Sequence, residues 1–131
     1  MEADLYPLRK PEMADLIDGS IGQESPFHST FGYYADGVDE TTAKLPVAWK
    51  ERAVRYTSAN TGGAIAIAPE IHDLAASKLV AGRDKDLEWV GAAVRAGLAD
   101  PAILAQRVAE TPVDETVKAL AIQRAEQLKS R

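Results

Sequence analysis

Cysteine is absent from this chain, which excludes disulfide bridges and thiolate metal sites. There are only 2 histidines, His28 and His72, too few and too far apart for a dedicated zinc site. No segment approaches the roughly 20 consecutive apolar residues that a membrane span needs. The acidic opening MEADLYPLRK also lacks the features of a signal peptide, so we expect a cytoplasmic protein.

Basic residues are outnumbered by acidic ones. The chain has 15 Lys and Arg against 20 Asp and Glu, a formal net charge of -5. This balance argues against general nucleic-acid binding and against an anionic membrane surface as a partner. The length of 131 residues suffices for one domain with a real core, and 46% hydrophobic residues is ordinary for a globular protein. Composition therefore indicates an acidic globular domain and no particular function.

The first half of the chain has mainly strand-like patterns. Strand-like segments occur at residues 3–6, 31–35, 41–45, 52–58 and 64–68, the last of them a short buried strand. Apolar residues at helical spacing predict a short helix at residues 11–18, and residues 20–30 are predicted to be a loop. The pair Asp36 and Gly37 either turns the chain into a hairpin or kinks a single strand.

From Pro69 onward the hydrophobic period becomes helical. We predict one long helix, or a helix broken slightly at Gly82, and then helices at residues 101–110 and 112–129, the latter with a capping-box pattern from Thr111 to Asp114. One broad apolar face is predicted to enter the core: Ala76, Leu79, Val80, Leu87, Val90, Val94 and Leu98.

The order of strands and then helices predicts the α+β class. We expect residues 1–70 to form a sheet region with one short helix. Residues 71–131 are expected to form a helical segment packed on that sheet, within a single domain overall.

Lys78 lies on the helix side opposite the apolar face, in one stripe with Gly82, Lys85 and Asp86. The glycine is expected to leave an open notch where a phosphate group can approach. A lysine ammonium beside a phosphate, with a carboxylate behind it to hold its orientation, suits triphosphate binding. The alternative is a solvated helix face whose charges pair locally.

Glu2 and Asp4 form an acid-x-acid pair on a predicted strand, where alternate side chains face the same side. Two such carboxylates can share divalent metal ions, as a phosphoryl or nucleotidyl transfer site requires. The alternative is a frayed, charged terminus. Asp36, Asp39 and Glu40 either add a metal ligand from a neighbouring strand or serve as turn residues.

The segment HDLAASKLVAGRDKD, residues 72–86, resembles the helical motif of nucleotidyltransferase-like proteins related to the toxins of bacterial abortive-infection and toxin–antitoxin systems. That motif carries a leucine, a lysine four residues later, an arginine and a Lys-Asp pair. The matching residues are Leu74, Lys78, Arg83, Lys85 and Asp86. Residues 31–54 and the opening EADLYP resemble an uncharacterised branch of this superfamily, so the resemblance covers most of residues 1–98.

The resemblance implies a polymerase-beta-like nucleotidyltransferase core, a mixed sheet followed by a C-terminal helical segment. It also implies Mg²⁺ and a nucleoside triphosphate. Glu2 and Asp4 match the acid pair that binds metal in such enzymes, although family members usually carry aspartate where Glu2 stands. The metal pair would activate an acceptor hydroxyl for attack on the α-phosphate.

The same resemblance assigns roles to the helical motif. Lys78 would neutralise charge on the phosphates and Asp86 would orient Lys78, which makes these two the expected catalytic residues. Arg83 and Lys85 would join Lys78 in binding the nucleotide.

The family's first motif, a Gly-Gly or Gly-Ser turn that cradles the triphosphate, precedes the acid pair. This chain begins at the acid pair, so we expect either an N-terminally truncated fragment or a degenerate member, incomplete or inactive as this chain. The resemblance also suggests the toxin of a toxin–antitoxin system, with an antitoxin or other protein at the N-terminal strand edge. The alternative function is a non-catalytic binding or regulatory module of the same fold, whose edge strand pairs with another chain.

Overall fold

The computed structural model describes residues 2–5, 7, 11–31, 34–37, 43–56 and 65–129. The chain divides into two compact units, residues 1–43 and residues 44–131. This division lies upstream of residue 70, where the sequence pattern changes from strand-like to helical. The strands between residues 44 and 70 therefore belong to the second unit together with the helices that follow them.

In its described residues, the first unit contains one parallel strand pair and the helices that connect its strands. Its elements are strand β1 (Glu2–Leu5), a 3-10 turn (Pro11–Met13), helices α1 (Ala14–Ile21) and α2 (Pro26–Phe31), and strand β2 (Tyr34–Gly37). In the register of the pair, Glu2 lies opposite Tyr34 and Asp4 opposite Asp36. Parallel strands need a crossover connection, which the two helices supply, and α1 packs against β2.

The short helix predicted at residues 11–18 is present, as a 3-10 turn followed by α1. The loop predicted at residues 20–30 is wrong, because α1 continues to Ile21 and α2 occupies most of the remainder. Pro26 begins α2, a position where its missing N–H costs nothing. Asp36 and Gly37 both lie within β2 and do not form a hairpin turn.

The second unit contains one short antiparallel strand pair and five helices in the described part of residues 44–131. The elements are α3 (Trp49–Arg52), β3 (Val54–Tyr56), β4 (Ala66–Ala68), α4 (Ile71–Ala81), α5 (Asp84–Arg95), α6 (Pro101–Ala109) and α7 (Glu115–Leu128). Strands β3 and β4 pair with each other. The helix-rich composition with small sheets agrees with the α+β prediction.

Helices α4, α5, α6 and α7 enclose the core of the second unit. The buried apolar side chains are Ala75, Ala76, Leu79, Val90, Ala93, Ala99, Leu104, Val108, Ala121 and Ala125. Six of these ten are alanines, whose small side chains let neighbouring helix axes approach closely. Among the helices that the structure describes, none combines the length and the apolar character that crossing a membrane requires.

The helix boundaries follow recognisable caps. Glu70 accepts a hydrogen bond from the His72 N–H at the start of α4. Gly82 ends α4 in the left-handed conformation, with φ of 66°, which a side chain rarely adopts. Asp100 accepts from the Ala102 N–H at the start of α6. The break predicted at Gly82 is therefore a complete helix end.

Three details of the sequence prediction are corrected in this unit. Thr111 does not begin α7 but donates its hydroxyl to the Arg107 carbonyl, which closes the end of α6, and α7 begins at Glu115. Leu98 lies outside the core because α5 ends at Arg95, so the helical face no longer extends to it. The strand β4, predicted to be buried, has both Ala66 and Ala68 exposed, because it belongs to a two-stranded pair in the described residues.

The strand predicted at residues 41–45 has only residues 43–45 within the described part, and these are not strand. Just beyond them, the Val47 N–H donates to the Glu110 carbonyl, so the backbone here bonds to the end of α6 rather than to a sheet.

Candidate functional site

The junction of α4 and α5, here called the α4–α5 corner (residues 78–89), brings together three of the predicted site residues. Lys78 lies in the last turn of α4, and its Nζ is 3.7 Å from Oδ1 of Asp86 in the first turn of α5. Arg83 precedes α5 and donates to Asp86 through Nε at 2.7 Å and Nη2 at 3.2 Å. Asp86 therefore accepts hydrogen bonds from Arg83 and forms an ion pair with Lys78.

Asp86 also caps α5. Its Oδ2 accepts the Arg83 backbone N–H at 3.3 Å, so the same carboxylate fixes the helix start and two cationic side chains. Only 1% of the Asp86 side chain is exposed. Burial by itself would raise the pKa of Asp86, but the hydrogen bonds and charge of Arg83 and the charge of Lys78 outweigh it. The pKa of Asp86 is consequently lowered, and the group is a carboxylate at neutral pH.

The two cations of the corner remain accessible while their carboxylate is not. The Lys78 side chain is 28% exposed and that of Arg83 is 62% exposed. Lys85, the other predicted nucleotide-binding residue, is an exposed residue in the first turn of α5. The Lys78 Nζ also lies 5.1 Å from the ring centroid of Trp89, a distance typical of a cation–π contact.

The open notch predicted at Gly82 is filled. A Cβ at Gly82 would overlap Nη1 of Arg124, so the guanidinium occupies the space that the missing side chain leaves. The same Nη1 donates to the Leu79 carbonyl at 2.8 Å. Glycine is thus favoured by its backbone conformation, and Arg124 fills the space beside it. It does not open a path for phosphate, which must approach Lys78 from the solvent side.

A second ionic cluster, which the sequence did not reveal, surrounds Asp73 in the first turn of α4. Its fully buried carboxylate accepts from Arg52 Nε at 2.9 Å, Arg52 Nη2 at 2.8 Å and Arg107 Nη1 at 3.0 Å. Burial would raise the pKa of Asp73, but the hydrogen bonds and charges of the two arginines lower it overall. An acid in a first helical turn has an ordinary explanation in the helix dipole, so no sequence signal pointed to these distant partners.

His72 belongs to the edge of this cluster and has a structural role. The Asp100 N–H donates to its Nε2 at 3.0 Å, so Nδ1 carries the proton and donates to Glu70 Oε1 at 2.6 Å. Burial would raise the pKa of Glu70, but the hydrogen bonds from His72 and from Arg107 lower it overall. The histidine therefore joins the starts of α4 and α6, as a capping or packing residue would.

The predicted metal ligands lie in the first unit. Glu2 and Asp4 are on β1, and Asp4 is the register partner of Asp36 on β2, but the side chains of these three residues lie outside the described part. Among the side chains that are described, no group of three His, Asp or Glu residues is placed to hold a metal ion.

Comparison with protein families matches residues 13–130 of the chain to one family, described as a nucleotidyltransferase of unknown function (DUF6036). The match includes the whole α4–α5 corner and the Asp73 cluster. Neither the curated proteins nor the solved structures compared with the chain gave a significant match.

Proposed function

This chain belongs to the family of nucleotidyltransferases of unknown function, and on that premise we propose that its α4–α5 corner binds the phosphates of a nucleoside triphosphate. The reaction proposed is metal-dependent transfer of a nucleotide to an acceptor. The proposal includes the polymerase-beta-like core that the sequence resemblance implies.

The observation that carries the proposal is the position of Lys78 beside a buried carboxylate already bound to Arg83. Lys78, Arg83 and Asp86 carry two positive charges and one negative charge, so the three together retain a positive charge. Because Asp86 is 1% exposed, solvent and ligands meet the cations rather than the carboxylate. Elsewhere in residues 78–89, Lys85 is outnumbered by the exposed Asp84 and Glu88, so the positive charge is local to Lys78 and Arg83. An oriented ammonium of this kind is what a triphosphate requires.

Lys78 has the role of contacting phosphate oxygens, and Asp86 has the role of keeping the ammonium in place. Arg83 and Lys85 extend the positive charge along the start of α5. In this arrangement Arg83 balances Asp86, so the charge of Lys78 remains available to a ligand. The first turn of α5 also has backbone N–H groups, whose partial positive charge favours an anion such as phosphate.

The residues proposed to hold Mg²⁺ are Glu2 and Asp4, with Asp36 as a third carboxylate on the adjoining strand. Carboxylate oxygens are the hard ligands that Mg²⁺ prefers, and the register of β1 and β2 brings Asp4 and Asp36 to one level of the sheet. A bound Mg²⁺ would supply positive charge there and would favour deprotonation of an acceptor hydroxyl.

A toxin role, with an antitoxin as protein partner, remains a prediction from the sequence resemblance, as does the cytoplasmic location. The second candidate function is a non-catalytic binding module. It is favoured by β1, which pairs only with β2 in the described residues and so offers an edge to which another chain's strand can bond.

A test of nucleotide binding distinguishes the two candidate functions. We expect at least one of ATP, GTP, CTP and UTP, added with Mg²⁺, to raise the melting temperature of the purified chain. A ligand at 100 times its Kd stabilises a protein by about 2.7 kcal/mol. Lys78→Ala should weaken the calorimetric affinity at least tenfold, about 1.4 kcal/mol.

Lys50→Ala is the matched control, because Lys50 also lies over a tryptophan ring, at 5.9 Å from the Trp49 centroid. We expect its nucleotide affinity to equal that of the wild type. Equal affinity of wild type and Lys78→Ala would contradict the assigned role, and no binding of any triphosphate would favour the binding module. If a triphosphate binds, transfer of its labelled α-phosphate in cell extract, with Lys78→Ala as the blank, tests the reaction itself.

A further inference from the structure

Trp89 forms one wall of the α4–α5 corner. It lies on α5 one helical turn after Asp86, so the two side chains lie on neighbouring positions of one helix side. The Nζ atom of Lys78, on α4, lies 3.7 Å from the Asp86 carboxylate and 5.1 Å from the centroid of the Trp89 ring. The indole is 36% exposed, so it faces solvent beside the ammonium rather than lying in the core.

We propose, on the basis of the function proposed above, that Trp89 is a positioning residue that holds the Lys78 ammonium ready for a phosphate group. An aromatic face attracts a cation through its quadrupole without bringing a full negative charge. A second carboxylate in this position would bind the ammonium as well but would repel phosphate. The indole therefore restrains Lys78 and leaves its charge available.

The benefit to binding is entropic. An exposed lysine occupies many rotamers, and fixing it on a ligand costs conformational entropy. At the corner, both the buried Asp86 and the Trp89 ring contact the ammonium and restrain it before a ligand arrives. Restraint in the free protein reduces the cost of binding, which is the general basis of preorganisation.

Trp49 provides an internal comparison. Its ring also has a lysine ammonium, that of Lys50, at 5.9 Å from the centroid. Lys50 is the next residue in the chain and is exposed. The pair lies in α3, outside the corner, so it reproduces the ring-to-ammonium contact without the buried carboxylate of α5. Changes at Trp49 should therefore leave the corner unaffected.

The experiment uses Trp89→Phe, which keeps an aromatic face, and Trp89→Leu, which removes it, with Trp49→Leu as the control. The first readout is the ring-current shift of the Lys78 ε-methylene protons in NMR spectra. The second is the calorimetric Kd for inorganic tripolyphosphate with Mg²⁺, a probe that carries the phosphates and no base. Melting curves establish that each variant is folded.

We expect Trp89→Phe to retain the upfield shift and an affinity within twofold of the wild type. Trp89→Leu should lose the shift and bind tripolyphosphate about fivefold more weakly, as expected for one exposed cation–π contact. In a Lys78→Ala background, Trp89→Leu should have no further effect, since its role acts through that lysine. Trp49→Leu should match the wild type.

Three outcomes would overturn the inference, and they differ in what else they overturn. Unchanged tripolyphosphate affinity in Trp89→Leu contradicts the positioning role alone. An equal loss with and without Lys78 shows that Trp89 contacts the ligand directly, which also contradicts positioning alone. Failure of the wild type to bind tripolyphosphate or any nucleoside triphosphate overturns the proposed function and this inference with it.

Discussion

Two buried carboxylates of the second unit, Asp73 and Asp86, each accept hydrogen bonds from an arginine and lie near a second cation. The partners of Asp73 are Arg52 on α3 and Arg107 on α6, which lie 21 and 34 residues away along the chain. Asp86 draws its hydrogen-bonding partner, Arg83, from three residues away. The first arrangement joins distant segments, whereas the second organises one corner.

One cation of the corner differs in exposure from those of the Asp73 cluster. Arg52 and Arg107 are mostly covered and contact Asp73, Glu70 and Glu110. At the corner the Arg83 side chain is 62% exposed, whereas Lys78, at 28%, is covered about as much as Arg52, at 26%. Similar chemistry thus joins helices in one place and leaves the Arg83 guanidinium exposed in the other.

The largest expected effect is that of Asp73→Ala. Removing this carboxylate leaves two largely covered guanidinium groups without their central partner, and breaking a buried pair in this way typically costs about 3–5 kcal/mol. The free energy of unfolding, from denaturant titration followed by helical circular dichroism, measures the loss. Glu126→Ala, which removes a surface pair with Lys129, is the control and should change stability by less than about 0.5 kcal/mol. A loss below about 1 kcal/mol in Asp73→Ala would show that the cluster is not a stabilising junction.

Asp86→Ala should have a smaller effect, about 1–2 kcal/mol, as for the loss of a helix cap and its hydrogen bonds. The remaining Arg83 and Lys78 can turn toward solvent, so neither is left buried without a partner. The same denaturant titration measures both variants. If Asp86→Ala destabilises the chain as much as Asp73→Ala, the distinction between a junction and an accessible corner fails.

The smallest expected effect is on acid sensitivity. The folded-state pKa values of Asp73 and Asp86 lie below the ordinary value of 3.8, so the unfolded chain binds more protons on acidification. The stability that these groups contribute is present above about pH 5 and is lost as the pH falls through their folded-state pKa values. Unfolding free energies between about pH 6 and pH 3 should decline less steeply in Asp73→Ala than in the wild type. An equally steep decline would mean that other groups control acid unfolding.

The helical half of the fold was predictable because its signals are local. Gly82 indicated a slight break, which the structure shows to be the end of α4, and Pro101 after Asp100 indicated the start of α6. Helical spacing placed Lys78 and Asp86 on one side of a single helix, about 12 Å apart along its axis, whereas their contact arises because the chain turns at Gly82 between α4 and α5. The helix α2 was missed because its residues include small polar and aromatic types that are equally common in loops.

What could not be predicted depends on contacts between distant segments. Arg124 lies far along the chain from Gly82, and no periodic pattern relates the two, so the filled notch appears only in three dimensions. The partners of Asp73 were hidden for the same reason. The burial of Asp86 was also missed, because an acid among other charged residues is normally a surface residue.

The hydrogen bond from Arg124 to the Leu79 carbonyl makes α7 a structural support of the corner. When α7 opens locally, the guanidinium leaves Gly82 and the last turn of α4, which carries Lys78, loses its restraint. We therefore expect the fluctuations of the corner and those of α7 to be coupled, in the manner of elements that open as one cooperative unit. Amide hydrogen exchange in α7 thus reports on the order of the Lys78 site from a helix that contributes no residue to it.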